Sequence, residues 1–317
     1  MEALNKNLFI FNSNDMKKFM LNITRFIITL TSCIIVLLIA TSLISKNLFD
    51  FSIPKQKNIL VLGNSHPECA INDSILPNVF NLAQSGTGYF YDYVKAREVI
   101  AENSQIDTVI IGYTYGDMAK EMDSWFDGKE KIKFKLRNYF FLFNFNDYLA
   151  LLKANPLDVL SQTPQAIGYN LYMSYKGYTY LGGFNYLKRN KLEEAKRRLE
   201  NQQILESNSE VSKYQSIYLQ KIYTYCNKNN IVLILLNTPI HPLGEEYRKN
   251  LKTNYYKFAS QKLPKAILVN DSNLKLPESF YADLNHLNFK GAHEYSEFLK
   301  QNKFKQRIVN DTLASQN

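Results

Sequence analysis

The longest uncharged stretch of the sequence constrains the chain most. Residues 26–45 read FIITLTSCIIVLLIATSLIS, an apolar run of 20 residues bounded by Arg25 and Lys46. As a helix rising ~1.5 Å per residue, the run crosses the ~30 Å hydrocarbon core of a bilayer. A helix that is apolar on all sides, with charges only at its ends, is typical of a membrane span and not of a buried core helix. The sequence therefore predicts one transmembrane segment.

The residues flanking this run bear on its processing and orientation. Three basic residues within residues 17–25 resemble the n-region of a cleaved signal peptide, and residues 40–42 are small. The apolar run exceeds the usual ~7–15 residues of such a peptide, which favours an uncleaved signal-anchor. Basic residues lie on both sides, so the positive-inside rule leans only slightly toward a cytoplasmic N-terminus. We expect a single-pass cell-membrane protein with a cytoplasmic tail at residues 1–25, a linker at residues 46–57 and an extracytoplasmic soluble domain.

Composition excludes several classes of protein. A hydrophobic content of 45% with 21% charged residues is ordinary for a packed core and excludes intrinsic disorder and collagen-like folds. Cys33, Cys69 and Cys226 lie too far apart in sequence for a zinc knuckle or a redox motif. The four histidines form no ligand-spaced cluster, so we expect no metal and no cofactor. The net charge of +9 suits phospholipid headgroups or anionic cell-surface glycans, and an extracytoplasmic domain is not expected to bind nucleic acid.

Apolar runs alternate with helical patterns after the linker. Strands alternating with helices imply a mostly parallel sheet covered on both faces. We predict an α/β three-layer sandwich with a mostly parallel five-stranded sheet over residues 58–303, followed by a C-terminal tail at residues 304–317. The predicted strands are residues 58–62, 79–82, 108–111, 231–236 and 266–269, and the predicted helices are residues 91–103, 210–229, 245–261 and 290–301.

Residues 117–207 interrupt this alternation and form a predicted insertion. Residues 139–145 are heavily aromatic, and further on tyrosines alternate with glycines. Three interpretations are open: a subdomain with its own small core and glycine turns, a cleft in which tyrosines stack on sugar rings, or an aromatic surface that touches the bilayer or a membrane partner. The tyrosines are Tyr169, Tyr172, Tyr175, Tyr178, Tyr180 and Tyr186.

Polar residues follow three of the predicted strands. Ser65 lies at the turn from the first strand into a helix, where an acyl-transfer nucleophile would sit, although serine is also a common helix cap. Gly86 follows the second strand, and its amide is a candidate oxyanion donor or part of a plain turn. Asp283 and His286 lie three residues apart after the last strand, a spacing that allows the carboxylate to orient the imidazole toward a serine.

This joint pattern resembles the SGNH/GDSL hydrolase superfamily over residues 58–116 and 207–303. The resemblance implies that Ser65, in GNSH instead of GDS(L), is the nucleophile, and that the amide of Gly86 contributes to the oxyanion hole. It further implies that Asp283 and His286 are the acid and the base of the last block.

The third block of that superfamily departs from the pattern here. Where the superfamily has an oxyanion-hole asparagine in a G-x-N-D-like run, this chain reads Gly-Tyr-Thr-Tyr-Gly-Asp at residues 112–117. Thr114 or Asn64 are the candidate replacements, and loss of a donor costs ~2.7–4 kcal/mol of transition-state stabilisation. His241 and His66, which border the same edge of the sheet, are candidate substrate contacts.

Two functions from different classes follow. The first is an extracytoplasmic serine esterase or O-acyltransferase that acts on a cell-envelope glycan through an acyl-serine. A single N-terminal span before such a domain is similar to membrane-anchored members of the superfamily, which often work beside a multi-span acyltransferase. The second is a catalytically weak binding or scaffold protein for such a membrane partner, which the missing asparagine favours. A lipase-like enzyme acting on phospholipid would need an apolar acyl groove.

Overall fold

The computed structural model describes residues 13–176, 180–200 and 210–301. Within them one five-stranded sheet has the order β2-β1-β3-β4-β5, and every neighbouring pair is parallel. The strands lie within one or two residues of the predicted positions, so the predicted α/β fold class is confirmed. They are β1 (Ile59–Leu62), β2 (Val79–Asn81), β3 (Thr108–Gly112), β4 (Val232–Asn237) and β5 (Ile267–Asn270).

Helices connect the strands and cover both faces of the sheet. Short 3₁₀ helices occur at Lys120–Asp123, Phe140–Leu142, Lys249–Leu251 and Glu278–Phe280. The α-helices are α1 (Ser13–Leu48), α2 (Ser65–Ala70), α3 (Tyr89–Glu102), α4 (Ser124–Asp127), α5 (Lys129–Tyr139), α6 (Phe145–Ala154), α7 (Pro156–Lys176), α8 (Leu192–Glu200), α9 (Lys213–Lys228), α10 (Pro242–Tyr247), α11 (Lys252–Lys262) and α12 (Phe289–Gln301). The helix predicted at residues 245–261 is therefore divided between α10 and α11 by a 3₁₀ turn.

The alternation of side chains along the strands builds two cores, one on each face of the sheet. Leu60 and Leu62 of β1 pack into a core that includes side chains of α3, α9 and α11. Ile59 and Val61, which point the other way, pack into a core that includes side chains of α2 and α12. Because successive strand residues face opposite sides, a strand that is apolar throughout requires cover on both faces. The result is the predicted three-layer arrangement.

The apolar N-terminal segment is a single long helix. Helix α1 extends beyond the predicted span at both ends. An 18-residue window within Asn14–Leu48 has a mean hydropathy of 2.6, and 6% of that window is buried. Among the described residues it is the helix long and apolar enough to cross a membrane, as an anchor or a signal sequence. Its last turns pack on the rest of the chain, since Thr41 and Ser45 are buried.

The described residues of the insertion share the cores of the sheet and do not form a core of their own. Ile132, Leu136 and Tyr139 of α5 are buried in the same core as α3 and α9. The ring of Phe126 lies 5.0 Å from that of Phe90 in α3, which makes the junction an edge-to-face aromatic contact. The interpretation of a separate small core is wrong, because α5 packs into the core on one face of the sheet and Leu192 of α8 into the core on the other. Tyr178 and residues 201–209 of the predicted insertion lie outside the described residues, as do residues 304–317.

The turn after β1 depends on glycine at position 63. Gly63 has a φ of 122°, and a Cβ there would lie 2.9 Å from the backbone nitrogen of Gly112 in β3. A side chain at this position therefore suffers both backbone strain and a clash with a neighbouring strand.

We expect Gly63→Ala to lower the free energy of unfolding by about 2 kcal/mol or more, because neither the strain nor the clash can relax cheaply. Thermal unfolding of the full chain in detergent should show a melting temperature lower by about 4–8 °C. The matched control is Gly168→Ala in α7, where a Cβ meets nothing within 4 Å and helix propensity predicts a gain of about 1 kcal/mol. Equal melting temperatures for the two variants would contradict this account of the turn.

Candidate active site

A tight strand-to-helix turn presents Ser65 at the carboxyl edge of the sheet. Strand β1 ends at Leu62 and α2 begins at Ser65. Asn64 caps the helix, since its side-chain oxygen accepts a hydrogen bond from the backbone nitrogen of His66 at 3.1 Å. The cap is thus the residue before the serine, so the serine hydroxyl is not used as the cap and is left to other partners.

The hydroxyl of Ser65 meets the imidazole of His286. Nε2 of His286 lies 2.8 Å from Oγ of Ser65, across 221 positions of sequence. The other ring nitrogen, Nδ1, lies 2.8 Å from Oδ1 and 3.1 Å from Oδ2 of Asp283. The side chains of His286 and Asp283 are each 16% exposed, so a reactant can reach the group. The structure thus places a hydroxyl, an imidazole and a carboxylate in hydrogen-bond reach in that order, which is the arrangement that a proton relay requires.

The carboxylate of Asp283 is held in place and kept ionised. Its Oδ1 accepts hydrogen bonds from the backbone nitrogens of Asn285 and His286 at 2.9 and 3.0 Å, and Arg189 donates to its Oδ2 at 2.8 Å. Burial raises the pKa of Asp283, but the hydrogen bonds and charge of His286, with Asn285 and Arg189, hold this pKa well below its usual range. A carboxylate ionised at neutral pH fixes the ring orientation of His286 by accepting from its Nδ1.

The loop that carries Gly86 lies at the same edge. Gly86 has a φ of 69°, a left-handed conformation that glycine adopts without strain. The backbone nitrogen of Gln84 donates to the carbonyl of Gly63 at 2.9 Å, and the hydroxyl of Ser85 donates to Glu68 of α2. The loop is thereby bonded to both sides of the turn that presents Ser65. The assignment of the Gly86 amide as an oxyanion donor stays a prediction.

Asn64 and Thr114 converge on a third buried residue, Asp117. The side-chain amide of Asn64 donates to Oδ1 of Asp117 at 2.9 Å, and the backbone nitrogen of Thr114 donates to Oδ2 at 2.6 Å. Burial raises the pKa of Asp117 to about 6, against the hydrogen bonds from Thr114. Asn64 keeps a second amide hydrogen beyond this bond. The oxyanion roles predicted for these two residues stay predictions. What the structure shows is an Asn64–Asp117 pair beneath the turn that presents Ser65.

The two remaining candidate histidines differ in their surroundings. The ring of His66 is buried 5.2 Å from that of His286, and burial with the charge of His286 holds its pKa well below the usual range. His241 caps α10 through Nδ1, which accepts from Leu243 at 3.2 Å, and its Nε2 faces Glu278. Both imidazoles are therefore neutral at pH 7: His66 lies buried beside His286, and His241 caps a helix. Contact of either histidine with substrate stays a prediction. Within residues 13–176, 180–200 and 210–301, no cluster of acidic, histidine or cysteine side chains could hold a metal ion.

A buried polar network behind the Gly86 loop escaped the sequence analysis. The ammonium of Lys135 donates to Oε1 of Gln84, the carbonyl of Ser85 and Oγ1 of Thr87, at 2.9, 3.1 and 2.8 Å. Burial lowers the pKa of Lys135 to about 7. The sequence gives no signal for this lysine: Lys135 is one of four lysines in α5, and Lys131 and Lys133 also lie next to apolar residues. Helix α5 of the insertion therefore supports the Gly86 loop through hydrogen bonds from Lys135.

A second part of the insertion, residues 180–191, crosses the edge of the sheet and touches the loops of the site. The backbone of Asn185 bonds to that of Glu68 at 2.9 Å, and the backbone of Lys191 bonds to that of Ala282 at 2.7 Å. We call these residues the strap. The strap also makes side-chain contacts: the ring of Tyr186 stacks on that of Phe289 at 4.7 Å, and Arg189 bonds to Asp283. Nothing in the sequence shows which segments these side chains and backbone groups meet.

The strap also forms one wall of a cleft beside Asp283. The cleft encloses about 380 Å³ and is lined by basic and acidic side chains. Its cationic residues outnumber its carboxylates by four to two, so the lining favours a ligand with negative charge. The cationic residues are Arg189, Lys191, Arg198 and Arg248, and the carboxylates are Glu194 and Asp283.

Comparisons with known proteins add little to this geometry. A protein-family model matches residues 169–309, less than half of the chain. No curated protein matches the chain. Two solved structures are similar at 12% identity: a GDSL-like lipase from Bacteroides thetaiotaomicron, with a TM-score of 0.39 over 83% of this chain and 94% of that one, and a Streptococcus pneumonia protein described as a platelet activating factor, with a TM-score of 0.40 over 88% and 98%. These values do not establish a shared activity.

The Asn64–Asp117 pair generates a charge-exchange test. We expect Asn64→Asp to place two buried carboxylates in contact, so that the pair retains one proton and its pKa is raised. Ionising both groups at pH 8 should lower the free energy of unfolding by about 2–3 kcal/mol. Because a raised carboxyl pKa removes stability as pH rises through it, the loss should be smaller at pH 5 than at pH 8. Thermal unfolding at the two pH values measures the difference.

The double variant Asn64→Asp/Asp117→Asn is the control for this test, because it restores one amide and one carboxylate to the pair. It should recover most of the lost stability at pH 8. A double variant as unstable as Asn64→Asp, or a loss independent of pH, would show that the contact between these two side chains does not govern the turn.

Proposed function

We propose that this protein transfers or hydrolyses an O-acyl group through an acyl-serine at Ser65, with His286 as general base and acid and Asp283 as its orienting carboxylate. The continuous chain of hydrogen bonds from Ser65 to His286 to Asp283 is the observation that carries the proposal. The order of strands and site loops, with the residues that resemble the SGNH/GDSL blocks, supports the same assignment. The proposed acceptor is a cell-envelope glycan or water.

The geometry accounts for each proton in the reaction. Oγ of Ser65 attacks the acyl carbonyl while Nε2 of His286 takes the hydroxyl proton, and the leaving oxygen receives that proton when the tetrahedral intermediate collapses. The acceptor hydroxyl, from water or from a sugar, then loses its proton to His286 and attacks the acyl-serine, and Ser65 regains a proton as it leaves. The proposed oxyanion hole is formed by the start of α2 and the Gly86 loop.

The charged cleft beside Asp283 supports a polar acceptor over a lipid. A phospholipid substrate would need an apolar groove for its acyl chain, whereas this cleft carries charged side chains from the strap, α8 and the segment after α10. Cationic residues near the proton relay favour an acceptor with carboxylate or phosphate groups. The proposed substrate class is therefore an anionic glycan.

The apolar helix α1 supports a location at the membrane. An uncleaved span would hold the site near the bilayer, where a multi-span acyltransferase delivers acyl groups to the outer face. The proposed localisation is a single-pass anchor with the site on the extracytoplasmic side, and such an acyltransferase is the proposed partner.

A scaffold protein without strong catalysis is the second candidate. The observation that favours it is the Asn64–Asp117 pair, because one amide hydrogen of Asn64 and the backbone N–H of Thr114 are both bonded to Asp117. An oxyanion hole that has the Gly86 amide and few other donors stabilises the transition state less than one that also has a side-chain amide donor. Reactivity of Ser65 separates the two candidates.

We expect a fluorophosphonate probe to label the intact chain at Ser65, because the reagent needs only an activated serine. Ser65→Ala should abolish labelling, and His286→Ala should slow it by about 10²–10⁴-fold through loss of the general base. Ser260→Ala, at an exposed position of α11, is the matched control and should label at the normal rate. Failure of the folded wild-type chain to react at Ser65, found by mass spectrometry, would favour the scaffold.

The cleft generates a prediction about substrate charge. Reversing one cation, in Lys191→Glu, should weaken binding of polygalacturonate, an anionic glycan, several-fold and leave binding of neutral dextran unchanged. Added salt should reduce the difference, because it screens the charges. Lys228→Glu, at the exposed end of α9, is the matched control and changes the net charge equally. Equal weakening in both lysine variants would show that overall charge, and not the cleft, attracts the glycan.

A further inference from the structure

One face of α7 is exposed without being charged. Buried positions Val159, Thr163, Ala166 and Asn170 form a single stripe along this helix. On the opposite side, the exposed positions from residue 157 to residue 175 carry no charged residue. They are Leu157, Leu160, Ser161, Pro164, Gln165, Gly168, Leu171, Tyr172 and Tyr175.

Helix α9 shows what a water-facing helix of this chain looks like. Its exposed positions include Lys213, Lys221 and Lys228 around a single large apolar residue, Ile217. By comparison, Leu171 and Tyr172 of α7 are about half exposed, and Tyr175 is 86% exposed. A helix face of this size that lacks charge is typical of contact with a partner or a membrane.

Helix α7 packs directly on the apolar helix α1. Oγ of Ser45 lies 2.8 Å from Oγ of Ser174 and donates to the carbonyl of Asn170 at 3.1 Å. Small residues four positions apart, Thr41 and Ser45, face this side of α1, a packing pattern common between helices in membranes. The contact lies in the last turns of the 20-residue uncharged run, which is the depth of the outer leaflet if that run spans the bilayer.

The connection between α1 and the domain is rigid in this structure. Phe51 and Ile53, in the predicted linker, are buried in the core, and the ring of Phe49 lies 5.5 Å from that of Phe141. Helix α1 therefore meets the domain through packed side chains and not through a flexible tether. The orientation of α7 relative to the bilayer follows from that of α1.

We propose that the C-terminal half of α7 lies in the outer interfacial region of the bilayer, with Leu171, Tyr172 and Tyr175 in contact with lipid. The inference rests on α1 being a membrane span. Tyrosine suits this depth because its ring is apolar and its hydroxyl polar, and the ammonium of Lys176, 5.9 Å from the Tyr172 ring, can reach the headgroups.

This contact would connect the membrane to the candidate active site. Helix α5 packs against α7, and its Lys135 and Tyr139 both bond to Oε1 of Gln84, at 2.9 and 2.7 Å. Gln84 begins the loop that holds Gly86. The membrane surface, α7, α5 and this loop thus form one continuous packed unit, which would present the site to the bilayer in a fixed orientation.

Tryptophan quenching in vesicles tests the proposal. Trp125 is the single tryptophan of the chain, so Trp125→Phe provides a dark background for Tyr175→Trp or Leu171→Trp in the full-length protein. In phosphatidylcholine vesicles containing lipids brominated in the upper acyl chain, both probes should be quenched. Ile217→Trp, on the lysine-bearing face of α9, is the matched control and should remain unquenched. Phe26→Trp reports on the span itself.

The outcomes separate this inference from the anchor. Quenching of Phe26→Trp with none at Tyr175→Trp or Leu171→Trp would overturn the lipid contact and leave the anchor in place. An unquenched Phe26→Trp would overturn both. Equal quenching at Ile217→Trp would also overturn the proposal, because it would show contact with the bilayer that is not specific to α7.

Discussion

The hydrogen bond between Ser65 and His286 depends on the parallel sheet. The two residues lie 221 positions apart, and neither has a local reason to meet the other. Parallel strands deliver all their carboxyl ends to one edge, so the turn after β1 and the loop after β5 reach the same place. The glycine at position 63 then allows β1 to turn within two residues and begin α2 at the serine.

The site is supported from behind by charges that are buried and paired. Lys135 bonds the Gly86 loop, and Asp92 accepts from the backbone nitrogen of Gly63 at 3.2 Å while facing Lys95 at 3.6 Å. Burial lowers the pKa of both lysines and raises that of Asp92. Groups that lose hydration in this way are retained only where they find several partners, and here those partners are the loops around Ser65.

Some of this organisation was predictable because it is written in local patterns. The strands are short apolar runs, and the positions of Ser65 and His286 after the first and last of them follow from the chain order. The insertion was harder to interpret, because its aromatic residues pack equally well into a separate core or a shared one. Only the coordinates showed Tyr139 and Phe126 entering the same core as α3 and α9. The strap was not predictable from the sequence, since its backbone bonds and the Arg189–Asp283 pair join segments far apart in the chain.

The sequence alone determined the apolar span, the α/β class and the types of residue at the edge of the sheet, because burial and periodicity act over neighbouring residues. The tertiary structure decided which groups meet: that Asn64 bonds to Asp117, that Arg189 bonds to Asp283, and that α7 rests on the end of α1. These contacts depend on distances between segments far apart in the chain. Such distances are set by the packing of the whole domain and not by any local pattern.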